Sequence, residues 1–221
     1  MNLYAYCVNN PINYADPSGC FPVLTVILCG IALVGMGLTI GGVATDNNLM
    51  TGIGLTLVAV PAIISGVGAI ASGFAGATTL GIIGGVTAFA GVGSGLFASA
   101  EYQEYAGAGN WIQDTTGMSE ELYNILLIST AAIATIGTIS CGVLTSIGNS
   151  ATPQQMFNSL NEHPNRWRTV KELVEPGIGK HKGGISTYSN HINKWTGGKL
   201  GTHRIVRAGK FIHGPHIHPW I

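Results

Sequence analysis

Six histidines lie close together in the last part of the chain, and histidine is the side chain whose charge changes near neutral pH. They are His181, His191, His203, His213, His216 and His218. One imidazole can act as a general base while another acts as a general acid, and a nearby lysine can stabilise the charge on a cleaving phosphate. The pattern therefore predicts a site that cleaves a phosphodiester, with one histidine taking the 2′-hydroxyl proton of RNA and another protonating the leaving oxygen.

The spacing of these histidines indicates which of them meet. His216 and His218 are two residues apart, so they point to one face if this segment is extended. His203 lies where a paired strand could bring it opposite them. We predict a catalytic group and a substrate-binding group: catalytic His203, His213, His216 and His218, and substrate-binding Lys199, Arg204 and Lys210.

A metal site is the alternative chemistry for the same residues. The motif His213-x-x-His216-x-His218 presents three imidazoles, which suit zinc or nickel. No acidic residue follows Glu175, and magnesium-dependent nucleases use carboxylates. The sequence therefore favours RNA cleavage without a metal or other cofactor over metal-assisted DNA cleavage. A purely structural interpretation is that the histidines pack within a hairpin or lie at the surface.

The same region is basic. All ten lysines and arginines follow residue 160, whereas residues 151–221 carry three acids. Clustered cations indicate a polyanionic partner, and three aromatic residues could provide stacking faces for bases, namely Tyr188, Trp195 and Phe211. Nucleic acid is the predicted partner. A solvated basic face, or a face that docks an acidic inhibitor, is the alternative.

Two short helices and a hairpin are the elements expected to position this chemistry. Residues 166–175 place Val170, Leu173 and Val174 on one side of a helix. Residues 188–195 are compatible with a second helix.

The hairpin is predicted from two apolar or alternating segments, 202–206 and 210–213, around Ala208-Gly209. A polar linker over residues 149–165 is expected to precede the basic domain.

The first 150 residues have the opposite composition, with seven acids and no lysine or arginine. Between residues 17 and 100 only Asp46 is charged, whereas soluble domains carry roughly 25% charged residues. Three uncharged stretches, 21–45, 47–100 and 122–144, allow three or four membrane-spanning helices at about 20 residues each. We predict a lipid-facing region followed by an aqueous domain.

Two further features belong to the apolar region. Residues 101–121 combine five acids with tyrosines and Trp111, which predicts a polar connector at the membrane surface. Glycines four residues apart favour close helix approach in lipid, unless they arise by chance in a Gly/Ala-rich sequence; the pairs are Gly37/Gly41, Gly81/Gly85 and Gly91/Gly95. No basic residue directly flanks a span, so we assign no orientation from the positive-inside rule.

The predicted fold class is mainly α: Gly/Ala-rich membrane-type helical hairpins over residues 21–150, followed by a small α+β domain over residues 151–221. Residues 1–20 read as one short strand and a turn.

Residues 1–20 also resemble the closing segment of the RHS repeat-associated core domain. The matching residues are Asn2, Tyr4, Tyr6, Asn9, Asn10, Pro11, Asp16, Pro17, Ser18 and Gly19, whereas Cys20 departs from the usual leucine. In that family a β-cocoon encloses a variable C-terminal toxin and releases it near the Asp-Pro-x-Gly motif. The resemblance implies that the chain after Gly19 is toxin cargo, and that this chain is a fragment of a longer protein.

The apolar region is similar to the pre-toxin segments of polymorphic toxins, and residues 109–119 are similar to a connector found there. This resemblance implies a membrane-associated effector, delivered from the producing bacterium to a target cell, with a cognate immunity protein as partner. The expected activity of the tail is that of a metal-independent ribonuclease. The alternatives are a pore-forming effector whose tail only binds the immunity protein, and a truncated product with no activity.

Overall fold

The computed structural model describes residues 23–220, apart from the side chains of Val23, Asn149, Ser150 and Lys180. The RHS-like residues 1–20 lie outside the described residues. Six helices precede four strands: α1 Val23–Ala44, α2 Asn48–Phe74, α3 Thr78–Tyr105, α4 Trp111–Thr116, α5 Glu120–Ser150, α6 Pro153–Glu162, β1 Trp167–Pro176, β2 Ile185–Asn193, β3 Lys199–Arg207 and β4 Lys210–His218. The fold class is therefore mainly α with a small α+β region, as predicted.

The described chain forms two compact units. Residues 23–71 and 80–143 make up the helical unit. Residues 72–79 and 144–220 make up the sheet unit, which contains the C-terminal turn of α5, helix α6 and all four strands.

Four helices are long and apolar enough to cross a membrane: α1, α2, α3 and α5, with 22, 27, 28 and 31 residues. Successive helices are antiparallel, and glycines bring them together. A Cβ on Gly66 of α2 would lie 2.7 Å from the Gly84 carbonyl oxygen and 2.6 Å from the Ala88 nitrogen of α3. Among the predicted pairs, a Cβ on Gly91 of α3 would lie 3.0 Å from Ala62 and 3.1 Å from the Ala59 carbonyl oxygen of α2, and one on Gly41 would lie 2.8 Å from Met50. A Cβ on Gly37 or Gly85 would have no neighbour within 4 Å.

The interior of the helical unit holds small and hydroxyl-bearing side chains. Thr39, Ser94 and Thr138 are buried, and each hydroxyl donates to the carbonyl four residues earlier in its own helix, at 2.9, 3.0 and 2.8 Å. Leu55, Val58 and Leu127 are fully buried there as well. Many other large apolar side chains face outward, with Phe89 81% and Ile82 70% exposed. Lipid-facing helices have this distribution because hydrocarbon, not water, solvates the outer side chains.

The predicted polar connector contains the end of α3, the short helix α4 and the start of α5. Asn110 caps α4 by accepting from the Gln113 backbone N–H, and Gly117 ends it with a φ of 66°. The Tyr123 hydroxyl donates to Glu101 Oε1 at 2.8 Å, in a buried position. The connector is thus ordered by specific polar contacts.

The sheet is antiparallel, with the strand order β1-β2-β3-β4. The hairpin prediction is confirmed: β3 and β4 turn at Ala208 and Gly209, whose φ angles are 48° and 77°. The two predicted helices are wrong, since these residues form β1 and β2. Residues 166–175 satisfy their backbone groups by pairing with residues 185–193, and such long-range pairing overrides a weak helical spacing.

Helix α6 replaces most of the predicted linker. Thr152 and Gln155 form a capping box at its start, with Pro153 in the first turn. The Trp167 indole N–H donates to Ser159 Oγ at 3.3 Å, which ties α6 to the beginning of β1.

Candidate histidine site

The register of β3 and β4 places His203 directly opposite His216, as the spacing predicted. His218 pairs with Gly201, two residues before His203, and His213 pairs with Ile205, two residues after it. Alternation along β3 therefore puts all four predicted catalytic histidines on one face of the sheet. We call this the histidine face.

Three side chains on this face form a hydrogen-bonded chain. Ser186 Oγ lies 2.7 Å from His203 Nε2, and His203 Nδ1 lies 3.3 Å from His216 Nε2. His216 Nδ1 lies 3.2 Å from the Gly214 carbonyl oxygen. Each imidazole thus uses both of its ring nitrogens.

The carbonyl at the end of this chain fixes its direction. A carbonyl oxygen only accepts, so Nδ1 of His216 carries a proton. With both rings neutral, His216 Nε2 accepts from His203 Nδ1–H, and His203 Nε2 accepts the hydroxyl proton of Ser186. Ser186 is 6% exposed, so it serves as a buried support for His203.

Aromatic rings enclose the same histidine. Tyr188 stacks on His203 with 4.2 Å between centroids and 12° between planes. The ring of His218 meets the ring of Tyr188 edge-on, with 4.8 Å between centroids, and its centroid lies 5.7 Å from that of His203. The ring centroids of His213 and His216 are 4.6 Å apart. The cluster is compact, and Tyr188, a predicted stacking face for bases, is occupied within it.

The pKa of His203 is held below its usual value. Burial is the main cause, because it disfavours the charged ring, and the neighbouring histidines oppose a further positive charge; they are His216, His218, His213 and His181. His203 is therefore neutral at neutral pH, which supports the direction of the hydrogen-bonded chain given above.

His218 is oriented by a different carbonyl. Its Nδ1 lies 3.1 Å from the Pro219 carbonyl oxygen, so Nδ1 carries the proton and Nε2 keeps its lone pair in the neutral ring. Among the hydrogen bonds within the described part of the chain, none involves His218 Nε2. This nitrogen is the best-placed proton acceptor for a substrate on the histidine face.

The predicted substrate-binding cations are distributed over both faces. Lys199 lies on the histidine face by alternation, with its Nζ 5.7 Å from the Trp220 ring centroid. Lys210 begins β4, opposite Arg207, at the far end of the hairpin. Arg204 follows His203 directly along β3, so its side chain leaves from the opposite face.

The opposite face holds a second hydrogen-bonded histidine. His191 lies between Thr169 and Thr202, with 3.1 Å from Nδ1 to Thr169 Oγ1 and 2.9 Å from Nε2 to Thr202 Oγ1. Burial lowers the pKa of His191, Glu172 opposes this, and the Arg204 charge adds to it. His191 is thus separated from the four predicted catalytic histidines.

Trp195, another predicted stacking residue, lines a cavity of about 470 Å³ in the sheet unit. Leu144, Met156, Arg166 and Trp167 line it as well. Phe211, the third, is 60% exposed. Only Tyr188 of these aromatics contacts the histidine cluster.

The metal alternative finds no support in the described residues, since no group of three or more His, Cys, Asp or Glu side chains there is arranged to hold a metal ion. The nitrogens of His203 and His216 face each other and fixed partners instead of a common centre. Sequence reasoning missed Ser186. Only its position two residues before Tyr188, on the same face of a strand, could have indicated it.

No family model, curated protein or solved structure matches this chain.

Proposed function

We propose that the sheet unit cleaves RNA without a metal ion, and that the histidine face is its active site. The hydrogen-bonded chain Ser186–His203–His216, beside the oriented ring of His218, is the observation that carries this proposal. Packed imidazoles with fixed proton positions are suited to proton transfer near neutral pH.

In the proposed reaction, His218 Nε2 accepts the proton of a 2′-hydroxyl. The 2′-oxygen attacks the adjacent phosphorus, the bond from phosphorus to the 5′-oxygen breaks, and a protonated His213 gives its proton to that oxygen. The products are a 2′,3′-cyclic phosphate and a 5′-hydroxyl. Lys199, on the same face, stabilises the negative charge on the phosphate.

His203 and His216 act as positioning residues in this scheme. Their ring nitrogens are occupied by Ser186, by each other and by the Gly214 carbonyl. They hold His213 and His218 apart by contact, and the neutral state of His203 leaves room for one positive charge in the cluster. Arg204 does not take part, because it lies on the opposite face.

We propose that this activity belongs to an RHS-type polymorphic toxin. The RHS-like residues and the histidine face support a cargo function, and the four apolar helices support entry through a target-cell membrane. The toxin acts in the target cell, and an immunity protein protects the producing bacterium.

Cleavage of a labelled RNA by the full chain in detergent, with EDTA present, tests the activity. Removing a general base costs about 10²–10⁴ in rate, so His218→Gln should reduce cleavage within that range. His191→Gln is the matched control on the opposite face and should retain activity. An RNA with 2′-deoxy substitutions should resist.

Cleavage that is equal in His218→Gln, His213→Gln and the unchanged chain would exclude the histidine face as the active site. Cleavage only on addition of zinc would replace the metal-free mechanism by a metal-assisted one.

The outward apolar surface of the helical unit favours a second candidate function, a pore-forming effector. In that case the chain should release dye from anionic lipid vesicles, and the tail should only bind an immunity protein. Dye release with no RNA cleavage would favour this alternative over the ribonuclease.

A further inference from the structure

The helical unit has six carboxylate side chains and no lysine, arginine or histidine, and these six lie toward one end of its helices. This end comprises the α1–α2 turn, the end of α3, helix α4 and the beginning of α5, with Asp46, Glu101, Glu104, Asp114, Glu120 and Glu121. We call it the acidic end.

Contacts between helices establish that these segments share one end. A Cβ on Gly42 of α1 would touch Thr51 near the start of α2. Gly52 of α2 lies against Tyr102 of α3, where a Cβ would come within 2.9 Å of the ring. The hydrogen bond from Tyr123 to Glu101 joins the beginning of α5 to the end of α3.

The other end of these helices carries no charge. Residues 72–79, which join α2 to α3, contain no ionisable side chain. The chain leaves this end through α5, and the first basic residues that follow are Arg166 and Arg168, with all other lysines and arginines beyond them. No basic residue flanks a span directly, but α5 ends at Ser150, so Arg166 and Arg168 fall within the roughly 15–20 positions over which basic residues influence the orientation of a span.

The dimensions and surface of the helical unit fit a bilayer. Each of the four helices exceeds the roughly 20 residues that cross the hydrocarbon core. At the acidic end, Tyr102 is 37% and Tyr105 is 62% exposed, and Trp111 is half-buried. Exposed tyrosine and tryptophan favour the interface between lipid and water.

We propose that the helical unit spans the membrane with its acidic end on the non-cytosolic side, so that the chain before α1 and the chain after α5 both lie in the cytosol. An even number of spans requires the two to share a side. Lysine and arginine occur only after α5, and cytosolic segments retain such residues. A membrane potential that is negative inside draws the lysines and arginines toward the cytosol and the acids away from it, so both sets of charges favour this orientation.

This inference rests on the proposed membrane insertion and not on the proposed RNA cleavage. If both hold, the histidine face lies in the compartment that contains RNA.

Labelling with a membrane-impermeant maleimide tests the orientation in bacteria that express the full His218→Gln chain, with Cys7, Cys20, Cys29 and Cys141 replaced by alanine. Ser119→Cys, at the acidic end, should be labelled in intact spheroplasts. Gln154→Cys, on α6, should be labelled only after the membrane is opened.

The reverse pattern would overturn the proposal, as would labelling of both positions, or of neither, in intact spheroplasts. Because Cys141 is buried, protease digestion of the chain with its native cysteines provides a second measurement. External protease should cut within residues 106–110 and leave a C-terminal tag protected. A tag that is lost would contradict the orientation.

Added lysines test the charge argument itself. Asn47→Lys with Thr115→Lys places basic residues at the acidic end and should reduce labelling of Ser119→Cys from outside. Asn158→Lys with Asn161→Lys adds the same charge on α6 and should leave that labelling unchanged. If neither pair changes it, the distribution of basic residues does not set the orientation.

Discussion

The helical unit and the sheet unit distribute their apolar side chains in opposite ways. The sheet unit buries Trp167, Leu200 and Ile205 to 6% exposure or less, and places its cations in water. The helical unit buries mostly alanine, threonine and serine, with a few larger side chains such as Leu55 and Leu127, and exposes many large apolar residues such as Phe89 and Ile82. Four of the helices are long and apolar enough to cross a membrane, and an outward apolar surface of this kind is better solvated by hydrocarbon than by water.

Their hydroxyl groups differ in the same way. Threonine and serine hydroxyls in the helical unit mostly donate to carbonyls of their own helix, which satisfies them without creating a site. In the sheet unit, Ser186 and Thr202 bond to imidazoles on neighbouring strands. Chemistry is therefore expected where side chains from different strands converge.

Charging the outer surface should have the largest effect on this contrast. Phe89→Lys should weaken membrane insertion by about 2.5–3.5 kcal/mol, the cost of a central lysine in a spanning helix. Val174→Lys, at a residue 56% exposed on the sheet, should change stability by no more than about 0.5 kcal/mol. The measurements are flotation with lipid vesicles for the first and thermal unfolding for the second. Equal insertion of Phe89→Lys and the unchanged chain would remove the lipid-facing assignment.

Close helix packing is the next feature to test. Gly66→Leu places a side chain against Gly84 and Ala88 and should destabilise the helical unit by about 1–3 kcal/mol. Gly68→Leu is the matched control in the same helix, since a Cβ there has no neighbour within 4 Å. Thermal unfolding in detergent, followed by helical circular dichroism, should separate the two. Equal melting temperatures would mean that α2 and α3 do not approach closely.

Acid should destabilise the sheet unit in a way that the helical unit, which has no histidine, does not share. Folding lowers the pKa values of His203 and His191, so the unfolded chain binds protons first as pH falls. The contribution of these two histidines to the free energy of unfolding is complete above the ordinary histidine pKa of about 6.5. It decreases as pH falls from there toward the pKa values of the folded chain. Tryptophan fluorescence during thermal unfolding between pH 8 and 5 measures this loss. A His203→Gln chain with undiminished acid sensitivity would contradict it.

Several features were predictable because one local signal decided them. The absence of charge over long stretches predicted three or four apolar spans, and the structure has four. Ala208-Gly209 between alternating segments predicted the hairpin. The pairing of His203 with His216 followed once that hairpin was placed, since strand register brings them opposite each other.

Other features depended on partners far away in sequence. Val170, Leu173 and Val174 fit one side of a helix, yet they are 40%, 41% and 56% exposed in β1, so burial did not decide their conformation. Pairing with β2 decided it. Ser186 carries no sequence signal beyond its position two residues before Tyr188, because its role exists only when His203 lies beside it. Helix α6 is a different case, since Thr152 and Gln155 already form a readable capping box.

The outer strand β4 has a consequence for self-association. Gly214 and Pro215 lie opposite the single residue Arg204, and Ile212 forms a second irregularity. A proline lacks the N–H that an incoming strand would require, and bulges twist an edge away from flat pairing. A second chain therefore finds no continuous template along β4, which protects this edge of the small sheet from edge-to-edge aggregation.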